Sequence, residues 1–226
     1  MGLPILSLNT KNITMEKIIH QIWIGDFKMP LREQALTQKI KLLHPDYEYK
    51  LWTDLDIKEE LLPENMNEIY REFYEQKQYV FCADLLRIYL VYKYGGFYLD
   101  VDFDVKQPLD KFFVDNKGYL FHHNDEDFTI PNNLICMEKE SPILKYCIEK
   151  MNRYCKWYGP SWLGTVVKEF LHLPYETPHN DVKLALEAYN VIYYPYNTFE
   201  NKYASHLSLY SWEHKTWEKL KNGEQL

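Results

Sequence analysis

The stretch from Phe81 to Val105 constrains the fold more than any other part of this chain. Phe81 to Tyr94 contains neither Gly nor Pro and is crowded with Leu, Ile and Tyr. It predicts a mostly apolar helix, and Gly95-Gly96 behind it is a normal helix C-terminal signal. Phe97 to Val105 then alternates strictly. Leu99, Val101, Phe103 and Val105 fall on one face of an expected strand and Asp100, Asp102 and Asp104 on the other, with only the apolar face expected to be buried. An apolar helix, a two-glycine turn and an acid-edged strand belong to a layered α/β domain.

The flanking sequence extends the same alternation. Lys17 to Ile24 (KIIHQIWI), ending at Gly25, reads as a first buried strand, and Leu31 to Leu43 as a helix stopped by His44-Pro45. Tyr47 to Trp52 reads as a second strand, with helices expected over Ile57 to Leu62 and Met66 to Tyr74. Strands at Tyr119 to His122, Leu134 to Met137 and Val191 to Tyr194 and helices at Ser141 to Tyr154 and Ser161 to Leu171 follow. The tail from Ser205 to Leu226, rich in Trp, Tyr and Lys, has no clear pattern. No internal repeat is present.

At 226 residues the chain has room for one large α/β domain, and a single domain over 15-226 is expected, with 1-14 as a flexible leader. A formal charge of -7 provides no sequence-wide basic surface, so nucleic acid is excluded as a partner. An anionic ligand would be repelled unless a cation or a local basic cluster intervened. Cys82, Cys136, Cys147 and Cys155 lack metal-site spacing and read as free thiols in a reducing compartment. No run reaches membrane-spanning length, and the expected location is cytoplasmic, with peripheral contact at the inner face of the membrane as the other option. The 20 Tyr, 6 Trp and 11 Phe suit a carbohydrate site, though ordinary cores use them too.

On a regular strand Asp100, Asp102 and Asp104 would stand about 6.5 Å apart in a row of like charges. Such a row is unfavourable unless solvated, protonated or bridged by a cation, and Mg²⁺ or Mn²⁺ is the natural bridge because hard cations take oxygen ligands. The competing reading is a solvated acidic edge that resists aggregation. Asp84 and Arg87 lie three residues apart on one face of the otherwise apolar helix, either as an internal ion pair or as part of a site.

Ala83-Asp84-Leu85-Leu86-Arg87-Ile88-Tyr89, read with Tyr94-Gly95-Gly96-Phe97-Tyr98-Leu99-Asp100-Val101-Asp102, resembles the DXD region of sugar transferases in glycosyltransferase family 32. The same block occurs in the catalytic domains of large clostridial glucosylating toxins. Lys17 to Gly25 and His44 to Trp52 are similar to that family's first two strands, in the same order. The likeness covers residues 17 to about 110 and thins to Gly159-Pro160, Tyr203-Ala204-Ser205-His206 and Ser211-Trp212. It implies a GT-A type fold, with a mixed, mostly parallel central sheet flanked by helices, a nucleotide-sugar donor, a divalent metal and transfer with retention. It also implies roles by position. Asp102 would bind the metal, Asp100 the ribose or a metal-bound water, Asp84 and Arg87 the donor sugar, and Arg87 the phosphate side as well. Trp23 would lie on the nucleobase beside Ile22, Tyr98 would reach the donor through its hydroxyl, and Asn133 would approach the donor or acceptor sugar. His206 is the candidate for a further metal ligand, since imidazole suits Mn²⁺. For Trp23 and Tyr98 the competing reading is a core aromatic, and for His206 a surface or capping histidine.

The expected activity is therefore metal-dependent transfer of a sugar, from a UDP-sugar or GDP-mannose, to a glycan or lipid-linked acceptor in bacterial surface polysaccharide synthesis. Asp100, Asp102 and Arg87 are the expected catalytic groups. Two rivals stand. A DxD phosphohydrolase of the haloacid-dehalogenase type normally carries its motif after the first strand, with Thr or Val where Asp104 stands. A degenerate sugar-binding module would be marked by lost metal ligands, whereas Asp100 and Asp102 are intact.

Overall fold

The computed structural model of the chain describes residues 15–58, 60–122, 129–152 and 158–207. The chain runs β1 (Ile18–Ile22), α1 (Leu31–Leu43), β2 (Glu48–Trp52), α2 (Glu64–Glu75), α3 (Tyr79–Tyr94), β3 (Gly96–Leu99) and β4 (Phe103–Val105). It continues through α4 (Lys111–Val114), β5 (Gly118–His122), β6 (Leu134–Met137), α5 (Pro142–Lys150), α6 (Pro160–Phe170), α7 (His179–Glu187), β7 (Val191–Pro195), α8 (Tyr196–Lys202) and β8 (Ala204–His206). Six strands form one sheet in the order β2-β1-β3-β6-β5-β7, and β4 and β8 form a separate pair. β1 is parallel to β2 and β3, β5 is parallel to β7, and β6 runs against both of its neighbours. The sheet is mixed and mostly parallel, as expected.

Both faces of the sheet are covered, which the alternation along its strands makes visible. Tyr98, Leu120, Ile135 and Met137 point into a cluster with α2, α3, α5 and α6 residues such as Met66, Leu86, Leu144 and Val167. Phe97, Leu99, Phe121, Leu134 and Cys136 point into a second cluster with Ile40 of α1, Phe112 of α4 and Phe199 of α8. The expectation that only one face of the Phe97 strand is buried is therefore corrected: all four residues of β3 are buried. Ile57 to Leu62 is not the expected helix. Thr53 caps a turn there by bonding Asp56, and the helix starts only after Pro63. Short elements α4, α7 and α8 and strand β8 lacked a readable sequence period. The leader, Cys155 and Ser211-Trp212 lie outside the described residues.

Gly95 and Gly96 join α3 to β3 with φ of +73° and +93°, and a Cβ on Gly96 would sit 2.4 Å from the Ile18 carbonyl oxygen of β1. Close backbone approach thus sets where β3 enters the sheet. His20 fixes the same corner. The indole N–H of Trp52 can only donate, so His20 Nδ1 accepts it at 3.1 Å and Nε2 donates to the Gly95 carbonyl at 2.8 Å.

His20 is thereby held neutral, and burial, opposed only in part by the Gly95 bond, lowers its pKa from 6.5 to about 4. As pH falls the unfolded chain takes up this proton first, so the contribution is complete above pH 6.5 and declines toward pH 4. We expect His20→Gln to flatten the pH dependence of urea-unfolding stability by up to about 3 kcal/mol across that window, read as the difference from the unsubstituted chain. Parallel profiles for the two proteins would refute it.

Candidate active site

The acidic segment is not the continuous strand expected. β3 ends at Leu99 because β6, its antiparallel neighbour, begins at Leu134, the partner of Leu99. Asp100 makes one further ladder-like bond, from its N–H to the Asn133 carbonyl at 3.0 Å, and Phe103 N–H then closes a turn onto the Asp100 carbonyl at 3.3 Å. That same carbonyl accepts from Gln21 Nε2 at 3.1 Å, and Tyr49 donates to Gln21 Oε1 at 2.7 Å. The chain re-enters extended structure as β4, paired with β8. The turn breaks the row of like charges. Asp104 is carried away to Lys39 of α1 at 2.5 Å, while Asp100, Asp102 and His206 converge.

The turn lies at the carboxyl end of β3, on the side of the sheet where the parallel strands β1 and β2 also end, and where open α/β sheets place their ligands. Trp23 directly follows β1; its N–H donates to the Trp52 carbonyl at 2.8 Å and its indole to the Phe27 carbonyl at 2.8 Å, which fixes the ring. The Ile22 side chain belongs to the core.

Helix α3 delivers the cation. Arg87 Nη2 lies 3.4 Å from Asp84 Oδ1 and 3.3 Å from Asp100 Oδ1, with its side chain 6% exposed. The guanidinium also stands 5.0 Å from the Tyr98 ring centroid. Burial works against the charge of Arg87, but Asp100, Tyr98 and Asp84 beside it outweigh that and hold its pKa above the ordinary value. Tyr98 donates to Asp100 Oδ1 at 2.5 Å, so its hydroxyl is spent on the turn. Burial raises the Asp100 pKa, Arg87 pulls it back, and Asp102 adds to the rise.

His206, stacked on Phe103, places Nε2 3.2 Å from Asp102 Oδ1. Burial works against its charged form, but the bond to Asp102 and the charges of Asp102, Asp100 and Glu200 hold its pKa above 6.5. One ligand atom from each of Asp100, Asp102 and His206 lies within 4.8 Å of the others. Two carboxylate oxygens and an imidazole nitrogen suit Mn²⁺, and the negative charge that raises the pKa of Asp100 and of His206 is what a divalent cation would offset. The donor set fits the implied metal.

Sequence reasoning passed over three residues that build this arrangement. Asn132, buried, donates to Asp84 Oδ1 at 2.8 Å and to the Tyr158 carbonyl at 3.1 Å. Its neighbour Asn133 donates to the Tyr196 hydroxyl at 3.0 Å and braces Asp100 through its carbonyl. Gln21 and Tyr196 are the other two. Gln21 sits inside an apolar strand, and that misplacement was the available signal; nothing local marked Tyr196.

Residues 30–119 match the family described as "Glycosyltransferase sugar-binding region containing DXD motif". The matched stretch carries Asp84, Arg87, Asp100 and Asp102, so this part of the chain is similar to the DXD-containing glycosyltransferases. It is 28% identical over 186 residues to Inositol phosphoceramide mannosyltransferase 3 of Schizosaccharomyces pombe, covering 74% of this chain and 48% of that protein. To Mannosyl phosphorylinositol ceramide synthase SUR1 of Saccharomyces cerevisiae it is 26% identical over 165 residues, covering 68% and 42%. The chain spans about half the length of the curated relatives it matches. Among solved structures, PaToxG Glycosyltransferase aligns with a TM-score of 0.59 at 18% identity, over 78% of this chain and 79% of that one. The chain thus shares a GT-A-like fold with that structure.

The two adjacent asparagines separate by experiment. Asn132→Leu removes a donor from a buried carboxylate and is expected to cost about 1.5–3 kcal/mol in urea-unfolding stability, whereas Asn133→Leu, whose partner is a neutral hydroxyl, costs about 1 kcal/mol. Equal losses would show that the Asn132–Asp84 bond carries no special weight.

Proposed function

We propose that this protein is a metal-dependent hexosyltransferase that moves mannose from GDP-mannose to a hydroxyl of a lipid-linked or glycan acceptor. The observation that carries the reading is the convergence of Asp100, Asp102 and His206 on one turn, with Arg87 bound to Asp100 directly behind it. Asp102 and His206 would hold Mn²⁺ or Mg²⁺, and Asp100 would support it. The metal supplies charge neutralisation for the departing nucleoside diphosphate. Arg87 adds a fixed positive charge on the same side, already oriented by Asp84 and Tyr98, so no reorganisation is needed as the glycosidic bond breaks. Asp84, held by Asn132, and Asn133 are the groups for the donor sugar, and Trp23 with the end of β1 for the nucleobase.

Mannose is supported by the names of the relatives, which shifts the donor from the UDP-sugar favoured on sequence to GDP-mannose. Those names also point to lipid acceptors in place of bacterial surface polysaccharide. No helix among the described residues is long and apolar enough to cross a membrane, and a lipid acceptor would be met by peripheral contact at the inner, cytoplasmic face. A phosphohydrolase fits the geometry poorly, because the acidic pair follows the third strand and Asp100 is tied up by Tyr98 and Arg87.

The test is release of nucleoside diphosphate from a panel of GDP-mannose and UDP-hexoses, with Mn²⁺ or with chelator. We expect Mn²⁺-dependent turnover, fastest with GDP-mannose, and a loss of about 100-fold or more in Asp102→Asn, the equivalent of several kcal/mol of transition-state stabilisation. Metal-independent turnover, or an unaffected variant, overturns the mechanism. Phosphate release from simple esters without nucleotide-sugar use establishes the phosphohydrolase, and saturable sugar binding without turnover the binding module.

A further inference from the structure

Helix α1 buries one stripe, formed by Glu33, Thr37 and Ile40 at positions i, i+4 and i+7. Its first member should be apolar and is a carboxylate, with only 1% of the residue exposed. Among the described residues no hydrogen-bond partner reaches Glu33 Oε2. The helix lies alongside the acidic segment, for Lys39 in its third turn holds Asp104 of β4. Glu33 feels the charge of Asp102. Burial is the main force raising its pKa; its own backbone N–H and the exposed Arg32 oppose that, and Asp102 adds to it. A buried carboxylate within electrostatic reach of another carboxylate, with only an exposed guanidinium to oppose it, is an unfavourable arrangement by itself and a favourable one beside a cation.

We propose that Glu33 is a further carboxylate of the centre at Asp100, Asp102 and His206, accepting a hydrogen bond from water on a divalent cation bound there. The proposal rests on the metal-site reading given above. It also explains why a charged residue opens the buried stripe: asparagine or glutamine would satisfy the helix N-terminus equally well but would not offset the cation. Around the turn, four carboxylates, Glu33, Asp84, Asp100 and Asp102, are set against the Arg87 guanidinium, the exposed Arg32 guanidinium and the His206 imidazole, an excess of negative charge that a divalent cation offsets. Partners of this kind, one shell outside the ligands, are typically worth about 10–100-fold in metal affinity.

The experiment titrates the full chain with Mn²⁺ alone, following loss of the free-ion EPR signal, in the unsubstituted protein, Glu33→Gln and Asp102→Asn. Thermal unfolding is recorded in parallel with Mn²⁺ and with EDTA. The expected result is binding in the unsubstituted chain, no binding in Asp102→Asn, and a dissociation constant at least about 10-fold weaker in Glu33→Gln. In EDTA the Glu33→Gln midpoint should equal or exceed that of the unsubstituted protein, and its rise on adding Mn²⁺ should be smaller. Unchanged Mn²⁺ affinity in Glu33→Gln, or an equal drop in midpoint with and without metal, overturns the proposal and leaves Glu33 as a helix-end residue while the metal site stands. Absence of Mn²⁺ binding in the unsubstituted chain overturns the metal site itself and the role of Glu33 with it.

Discussion

Arg87 is the residue on which the arrangement hangs. It is carried by a helix buried along most of its length, so its charge has been removed from water at a cost of several kcal/mol before any contact is made. Two carboxylates and an aromatic ring repay that cost: Asp84 one turn earlier on the same helix, Asp100 just past the strand that follows, and the face of Tyr98. Asp100 and Tyr98 both lie beyond that helix, and they reach Arg87 because Gly95-Gly96 turns the chain back within two residues. The approach of Gly96 to the Ile18 carbonyl and the His20 bond to Gly95 then fix that turn against β1 and, through Trp52, against β2. Helix, turn and three parallel strand ends are thereby set around one guanidinium.

Much of this could be read from the sequence, and the parts that could not share a cause. Elements such as Leu31–Leu43 and the short, wholly apolar Leu134–Met137 were found to the residue, and Gly95-Gly96 announced the end of α3. The acidic strand was misread because its period of two is real but does not decide whether a pairing partner exists. β6 begins opposite Leu99 and offers β3 no partner beyond it, and the local pattern of Phe97 to Val105 contains no trace of that. Alternation beyond Leu99 serves a different sheet, in which β4 meets β8 about 100 residues later in the chain. The same dependence on distant chain hid Asn132 and Tyr196, whose partners lie 48 and 63 positions away. Asp84, Arg87 and the Asp100–Asp102 pair were legible for the opposite reason: charge on an apolar background needs no partner to be conspicuous.

The break after Leu99 has an energetic consequence for the site. On an unbroken strand Asp100, Asp102 and Asp104 would be evenly spaced and each would be solvated or repelled alike. The turn instead sorts them by environment. Asp104 goes to a half-exposed lysine, where an ion pair is worth little and asks for nothing further. Asp100 is taken by Arg87 and Tyr98, which use donors of the protein itself. Asp102 is left with an imidazole, the partner that yields most easily because it can exchange a proton for a metal. Of the three, Asp102 is therefore the carboxylate whose protein partner competes least with a cation.

That ordering also separates rigidity from reactivity. Asp100 is over-determined: its carboxylate, its N–H and its carbonyl are all bonded, to Tyr98, Asn133 and Gln21 respectively. Three elements, β1, β3 and the start of β6, therefore converge on one backbone position, and a displacement of any of them moves the turn. The other wall of the turn is β8, where Leu207 N–H binds the Asp102 carbonyl at 3.1 Å and His206 binds its carboxylate. This wall rests on a three-residue strand and one short helix, with far fewer ties than the sheet. The half of the site that holds Arg87 is built into the central sheet, while the half that contributes His206 belongs to the separate β4–β8 pair, packed against that sheet through Phe103, Val105 and Ala204. Moving the Asp100 side breaks a buried charge network, and moving β4 and β8 would uncover Phe103, Val105 and Ala204, so adjustment on ligand binding falls by this argument on the partly exposed His206 side chain itself.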